Sequence, residues 1–277
     1  MRELYEIPDR DRVCRAFAFA ASQTWGEIRD FPELEEGSIT DYRLLQLKRM
    51  CPEEITIIKF NKPKEAHTGA DWEWWFGTDH EWFGMRVQAK RLDVPALEYS
   101  HLDHTIGKSG ILQVDRLIAD AAQRNLYAMY CFYNYWSPSD ALPLWPCGTF
   151  AKREELWGAS VADAEIVRDR IRTKSKKLGD IGPVSFPLMC LACCRGHAGG
   201  ASDAPLPHRA RGIAGVLSRR RDVPPLVPHP PWYATQAQSG KNLDLPAGVA
   251  DLDGILIVEE RPAIYEERQS REPRRPA

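Results

Sequence analysis

Gly69-Ala70-Asp71-Trp72-Glu73-Trp74-Trp75-Phe76, read with Phe83-Gly84-Met85-Arg86-Val87-Gln88-Ala89-Lys90, decides the fold. In the first run Trp72, Trp74 and Phe76 alternate with Asp71, Glu73 and Trp75. In the second, Phe83, Met85, Val87 and Ala89 alternate with Gly84, Arg86, Gln88 and Lys90. Successive side chains of a strand point to opposite faces, so period two marks a strand. Gly77-Thr78-Asp79-His80 between the runs has turn chemistry. The two runs predict a β-hairpin with one apolar and one polar face. A one-residue slip would mix the faces, so burial specifies the register. That register sets Asp71 opposite Gln88 and Glu73 opposite Arg86, with Trp72, Trp74, Val87 and Ala89 turned the other way. Opposed residues have Cβ atoms roughly 5 Å apart. Carboxylates and an amide oxygen at that distance can share one hard cation such as Mg²⁺. Lys90, two residues beyond Gln88 on the same face, can hold or activate water. Metal and lysine beside a scissile phosphate make a layout for phosphodiester hydrolysis.

Working outward, Val13 to Arg29 reads as a helix with Phe17 and Trp25 among its apolar positions. A second helix is expected from Thr40-Asp41, which supply capping oxygens, with Leu44, Leu45 and Leu47 on its buried side. Ile55-Thr56-Ile57-Ile58-Lys59-Phe60 is a β-branched strand. Beyond the hairpin, His101 to Ser109 reads as a loop. Ile111 to Arg124 reads as a helix with Ile111, Val114, Leu117, Ile118 and Ala121 on one stripe. Tyr127 to Tyr133 is an almost wholly apolar strand, as buried strands of α/β sheets are. Helices, three strands, a helix and a strand predict an α/β protein with a mixed sheet flanked by helices, set within residues 1–150. Residues 151–277 are expected to form a loop-rich C-terminal extension. In it Ser160 caps a helix through Lys177, a helix lies between Pro207 and Arg221, and Gly254 to Val258 is a last strand.

The strand, then Gly69-Ala70-Asp71, then a hairpin ending Gln88-Ala89-Lys90, resembles the PD-(D/E)XK nuclease superfamily. It is most similar to the Mrr-like restriction-endonuclease branch, whose motif reads Gln-x-Lys. The resemblance covers roughly residues 35–136. Gly-Ala-Asp-Trp-Glu-Trp-Trp and Gln-Ala-Lys-Arg are also similar to segments of bacterial proteins of unassigned function. The resemblance implies a restriction-endonuclease-like fold and a Mg²⁺-dependent endonuclease, with Mn²⁺ as a substitute. It implies hydrolysis of phosphodiester bonds, in DNA first, and a part in bacterial defence. It makes Asp71 a metal ligand, Gln88 the second ligand through its side-chain oxygen, and Lys90 the catalytic lysine. Members often carry a Glu on the first core helix, and Glu36 is the candidate here, with Glu35 beside it. Glu73, on the Asp71 face, can compensate for the charge lost where Gln88 replaces Glu. Gln113 is a candidate contact to substrate or water, and Arg86 and Arg91 to nucleic acid. Glu65, in the loop before the turn, is a further candidate ligand. The missing charge at Gln88 weakens cation binding, so the alternative is a nuclease fold kept as a binding or interaction module.

Composition sets the outer bounds. The chain has 277 residues, 37 Lys and Arg, and 39 Asp and Glu, for a formal charge of −2, which excludes a protein that coats DNA through overall charge. A local basic face is left open, at residues 168–177 or Arg219-Arg220-Arg221. Hydrophobic residues at 43% and charged ones at 27% give a globular composition. No apolar run has the length of a membrane span, and the short Ala16 to Ala21 run follows charged residues, so a cytoplasmic protein is expected. A homodimer is the assembly allowed for. Seven scattered cysteines fit reduced, buried thiols. Cys190, Cys193 and His197 have zinc-like spacing, against which stands a plain buried cysteine cluster. Trp72 and Trp74 are expected in the core, and Trp75, on the polar face, is the one placed to stack on a base.

Overall fold

Tyr127 to Tyr133 has no charged side chain, and a strand of that kind needs cover on both faces. The computed structural model describes residues 12–60, 68–107, 110–137, 153–194, 204–219, 222–238, 245–246 and 248–260. Its order is α1 (Arg12–Asp30), α2 (Glu36–Met50), β1 (Ile55–Lys59), β2 (Trp72–Gly77), β3 (Trp82–Arg91), β4 (Thr105–Ile106), β5 (Ile111–Leu112), α3 (Gln113–Gln123) and β6 (Tyr127–Tyr133). Then come β7 (Ala159–Asp163), α4 (Ala164–Arg172), α5 (Leu178–Ile181), β8 (Ser185–Pro187), α6 (Cys190–Cys193), α7 (Leu206–Leu217), α8 (Trp232–Gln238) and β9 (Gly254–Glu259). Seven strands form one mixed sheet in the order β1-β9-β2-β3-β6-β7-β8. β9 runs parallel to β2 and β6 parallel to β3, and the other neighbours are antiparallel.

The protein is thus an α/β fold with helices on both faces of a mixed sheet. One face carries Trp72, Trp74, Phe76, Val87, Ala89, Cys131 and Leu256, packed by Phe17 and Ile28 of α1, Ile39 and Leu47 of α2, and Ile213 of α7. The other carries Trp75, Tyr130, Phe132, Ile255 and Ile257, packed by Val114, Leu117 and Ala121 of α3 and Val167 of α4. The hairpin register is the one burial dictates, with Trp72 opposite Val87 and Glu73 opposite Arg86. The polar face of the hairpin, however, is not solvated. Glu73 and Arg86 are fully buried, because β2 and β3 are interior strands roofed by α3.

Four expectations are corrected. The second helix begins at Glu36, a turn before Thr40, whose hydroxyl instead bonds back to the Glu36 carbonyl at 3.0 Å. Ser160 caps nothing: it lies in β7, and Asp163 caps α4 by accepting from Ile166 N at 2.9 Å. The boundary after residue 150 divides no folding unit, since β7, β8 and β9 complete the sheet and β9 enters between β1 and β2. The apolar run Gly254 to Val258 is buried throughout, which requires strands on both sides. Fourth, Cys14 and Cys193 form a disulfide that joins α1 to α6, so not all the cysteines are reduced thiols. Cys193 is thereby removed from any zinc set, and His197 lies outside the described residues. No described helix is long and apolar enough to cross a membrane.

Candidate active site

Thr68-Gly69-Ala70 turns the chain into β2 and fixes the position of Asp71. Gly69 has φ +72°, and a Cβ there would stand 2.5 Å from the Gln113 carbonyl oxygen and 2.8 Å from Leu117 N. Glycine therefore serves two ends at once, a left-handed turn and close approach of the first turn of α3. The Thr68 hydroxyl accepts from Ala70 N at 3.3 Å and closes the turn. Asp71 N donates to Val87 O at 2.9 Å, which extends the ladder and sets Asp71 across from Gln88.

Asp71 Oδ2 accepts from Gln88 Nε2 at 2.5 Å and from Ala89 N at 3.0 Å. Gln88 Nε2 also donates to Ala89 O at 3.0 Å. Gln88 Oε1 accepts from Gln113 Nε2 at 2.8 Å. Sheet pairing sets Tyr130 beside Gln88 and Phe132 beside Lys90. Lys90 is only 8% exposed, and its ammonium has no hydrogen bond or ion pair among the described residues. Tyr130 Oη and Gln113 Oε1 are buried without a hydrogen-bond partner among the described residues. The Tyr130 hydroxyl is held well above its usual range by burial first and then by the charges of Asp71, Glu36 and Asp115. The acidic side chains therefore act at this end of the sheet, and Glu36, half-buried at the start of α2, is one of them. Glu35 beside it is exposed.

Residues 13–272 match a family described as a family of unknown function (DUF6615). The chain belongs to this family. No curated protein and no solved structure matches it.

In this DUF6615 member the structure brings together Asp71, Gln88 and Gln113, with Lys90 on the same face, and separates the rest. Glu73 does not face a shared cation position. Its Oε1 accepts from Trp75 Nε1 at 2.6 Å and Tyr233 Oη at 2.8 Å, and its Oε2 lies 3.3 Å from Arg86 Nη2. Arg86 also meets Asp120 at 3.0 Å and is wholly buried, so it cannot reach nucleic acid. Trp75 is buried and bonded to Glu73, so it is no stacking platform. Arg91 donates to the Pro32 carbonyl. The basic run at residues 168–177, which closes α4 and continues past it, is partly neutralised, Arg172 by Asp115 at 3.5 Å and Lys176 by Asp103 at 3.0 Å. Glu65, Arg220 and Arg221 lie outside the described residues. A cavity of about 530 Å³ opens at the far end of β6, lined by Tyr127, Asp163 and Ser218 among others, and holds none of the candidate residues.

Two neighbours of the site were not singled out from sequence. Tyr130 is hidden in an apolar strand, and only its register against Gln88 gives it away. Asp253, far away in sequence, donates its N–H to Asp71 O at 2.7 Å and comes alongside through β9. Among the described residues no group of three or more His, Cys, Asp or Glu gathers to hold an ion. The oxygen donors that adjoin here are one carboxylate and two carboxamides. They are hard donors of the kind Mg²⁺ takes, usually with several waters kept.

Proposed function

We propose that the chain is a Mg²⁺-dependent phosphodiester hydrolase with a restriction-endonuclease-like core, acting on DNA in the bacterial cytoplasm as a defence enzyme. The observation that carries the reading is Lys90. Lys90 has a largely buried stem and is only 8% exposed, and among the described residues its ammonium has no counter-charge, so its charge is left for a ligand. It stands two residues from Gln88, on the strand face that carries the Asp71 pairing. Such a cation suits an anionic substrate.

The donor set fits the ion the resemblance implies, on one condition. Asp71 and Gln88 Oε1 would hold it, and Gln88 now turns its nitrogen to Asp71. The orphaned Gln113 acceptor is where that nitrogen can go. The cation would supply Lewis-acid charge to the phosphoryl group. Lys90 orients the attacking water and offsets charge that develops on the phosphate oxygens. Asp71 fixes the cation position through its ladder contact and its bond from Ala89 N. The buried β2–β3 pair keeps these groups on rigid strands.

A second reading has its own observation: Gln88 donates to Asp71, and no acidic cluster gathers among the described residues. That suits a nuclease fold kept for binding without turnover. Plasmid nicking and cleavage with Mg²⁺ or Mn²⁺, wild type against Lys90→Ala, separates the two. Cleavage that falls at least about 100-fold in Lys90→Ala is expected. Equal cleavage by both proteins would overturn the assignment of Lys90, and none by either would favour the binding module.

A further inference from the structure

We propose that Gln113 is a positioning residue that sets which end of the Gln88 carboxamide faces Asp71, and that the two amides turn together when a divalent cation enters. This rests on the reading of the site as a cation site. The argument follows hydrogen-bond directions. A carboxylate only accepts, and so does the Ala89 carbonyl, so both demand a donor from Gln88. Nε2 supplies it, at 2.5 Å to Asp71 Oδ2 and 3.0 Å to Ala89 O. Oε1 must then face α3, where Gln113 Nε2 donates to it at 2.8 Å. This leaves Gln113 Oε1 buried and unpartnered among the described residues. A buried acceptor without a donor is a strained arrangement that native proteins rarely keep.

Turning both amides gives Gln113 Oε1 a donor, moves Gln113 Nε2 into the place Oε1 held, and takes the Gln88 donor away from Ala89 O; a carboxamide at position 113 can partner either end of Gln88. Gln88 Nε2 then donates to Gln113 Oε1, and Gln88 Oε1 points at Asp71. Two acceptors face one another in that state, which is unfavourable alone and favourable with a cation between them. The cation-free and cation-bound forms therefore differ by a paired rotation, and Gln113 is the partner that makes it possible. Gln113 is held for this task by Gly69, which packs against its carbonyl, and by its own N–H to His104 O at 2.8 Å. A Glu at position 88 would need no such turn, since either oxygen can ligate while the other accepts from Gln113.

The test is a Mg²⁺ titration of ¹⁵N-labelled protein, following the side-chain NH₂ resonances of Gln88 and Gln113. In the wild type both are expected to move with one midpoint, and Asp71→Ala is expected to abolish both movements. In Gln88→Glu, Mg²⁺ is expected to bind at least tenfold more tightly while the Gln113 resonances stay still. If Mg²⁺ saturates an Asp71-dependent site in the wild type and Gln113 does not move, the paired rotation is overturned and the cation site stands. Absence of any Asp71-dependent Mg²⁺ binding overturns both.

Discussion

Replacing Arg86 by Met removes the positive charge that, among the described residues, meets Glu73 inside the sheet. Both side chains are fully buried, with Arg86 Nη2 3.3 Å from Glu73 Oε2 and Arg86 Nε 3.0 Å from Asp120 Oδ2. In Arg86→Met, Asp120 keeps Arg124 at 3.1 Å, but Glu73 keeps only the dipoles of Trp75 and Tyr233. Breaking a buried pair costs about 3–5 kcal/mol because a charge is left uncompensated. The two surviving hydrogen bonds place this case at the lower end, about 3 kcal/mol. With a urea slope of about 3 kcal/mol/M, the unfolding midpoint falls by about 1 M with the slope unchanged. Adding Glu73→Gln neutralises the stranded carboxylate and keeps an acceptor for Trp75 and Tyr233. The double variant should therefore recover about 2 kcal/mol of the loss. Urea denaturation followed by tryptophan fluorescence reads all four corners of the cycle. A single variant within about 1 kcal/mol of wild type, or a double variant no better than the single, would refute the reasoning. On the proposed reading, the folded double variant should also retain Asp71-dependent Mg²⁺ binding, because Glu73 is engaged by Trp75, Tyr233 and Arg86.

Gly69→Ala should destabilise the protein by more than about 2 kcal/mol, from φ +72° and from the 2.5 Å approach to the Gln113 carbonyl. Thermal unfolding tests it, and a change under about 1 kcal/mol would show that the turn and α3 yield easily. Burial pushes the Cys51 and Cys131 thiols up to about 12 from the ordinary 9.0, and the buried tyrosines Tyr99, Tyr127, Tyr130 and Tyr133 are raised in the same direction. The folded state thus holds protons that the unfolded chain releases, so the stability these groups lend is full below pH 9 and drains away as pH climbs towards 12. Urea midpoints compared at about pH 8 and about pH 10.5 should fall, less steeply in Cys131→Ala, and a flat profile would contradict the burial of these groups.

The hairpin was legible in the sequence because two constraints coincide there. Period two named the strands, and the demand that Trp72, Trp74, Val87 and Ala89 share a face left one register, which the structure has. β1, α3 and β6 were legible for the same reason, each having a strong local pattern. Ser160 misled because a serine before an alternating polar and apolar stretch looks like a cap, while Ala159 to Asp163 gains its stability as a strand from pairing with β6. β9 was visible as a strand, but nothing local says that it belongs between β1 and β2. Its neighbours are fixed by long-range pairing, which no window of sequence contains. The Cys14 to Cys193 link, across a separation of 179 residues, is hidden in the same way.

The division of labour along the polar face was the least legible part, and its cause is physical. Asp71, Glu73, Arg86, Gln88 and Lys90 share one face of one hairpin, and periodicity treats them alike. What separates them is what lies above each. α3 places Asp120 over Arg86, and α8 places Tyr233 over Glu73, so that half of the face is neutralised and sealed. Towards the start of α3 the roof is Gln113, which carries no charge and leaves an acceptor unused. There the carboxylate meets amides and the lysine meets nothing among the described residues. Glu73 and Arg86 offset each other's charge inside the sheet, with Asp120 on a further side of Arg86. The proposed site rests on this difference: Lys90 has no ion pair among the described residues, and it shares its face with two carboxamides, while the Glu73–Arg86 pair lies two residues along each strand from Asp71 and Gln88.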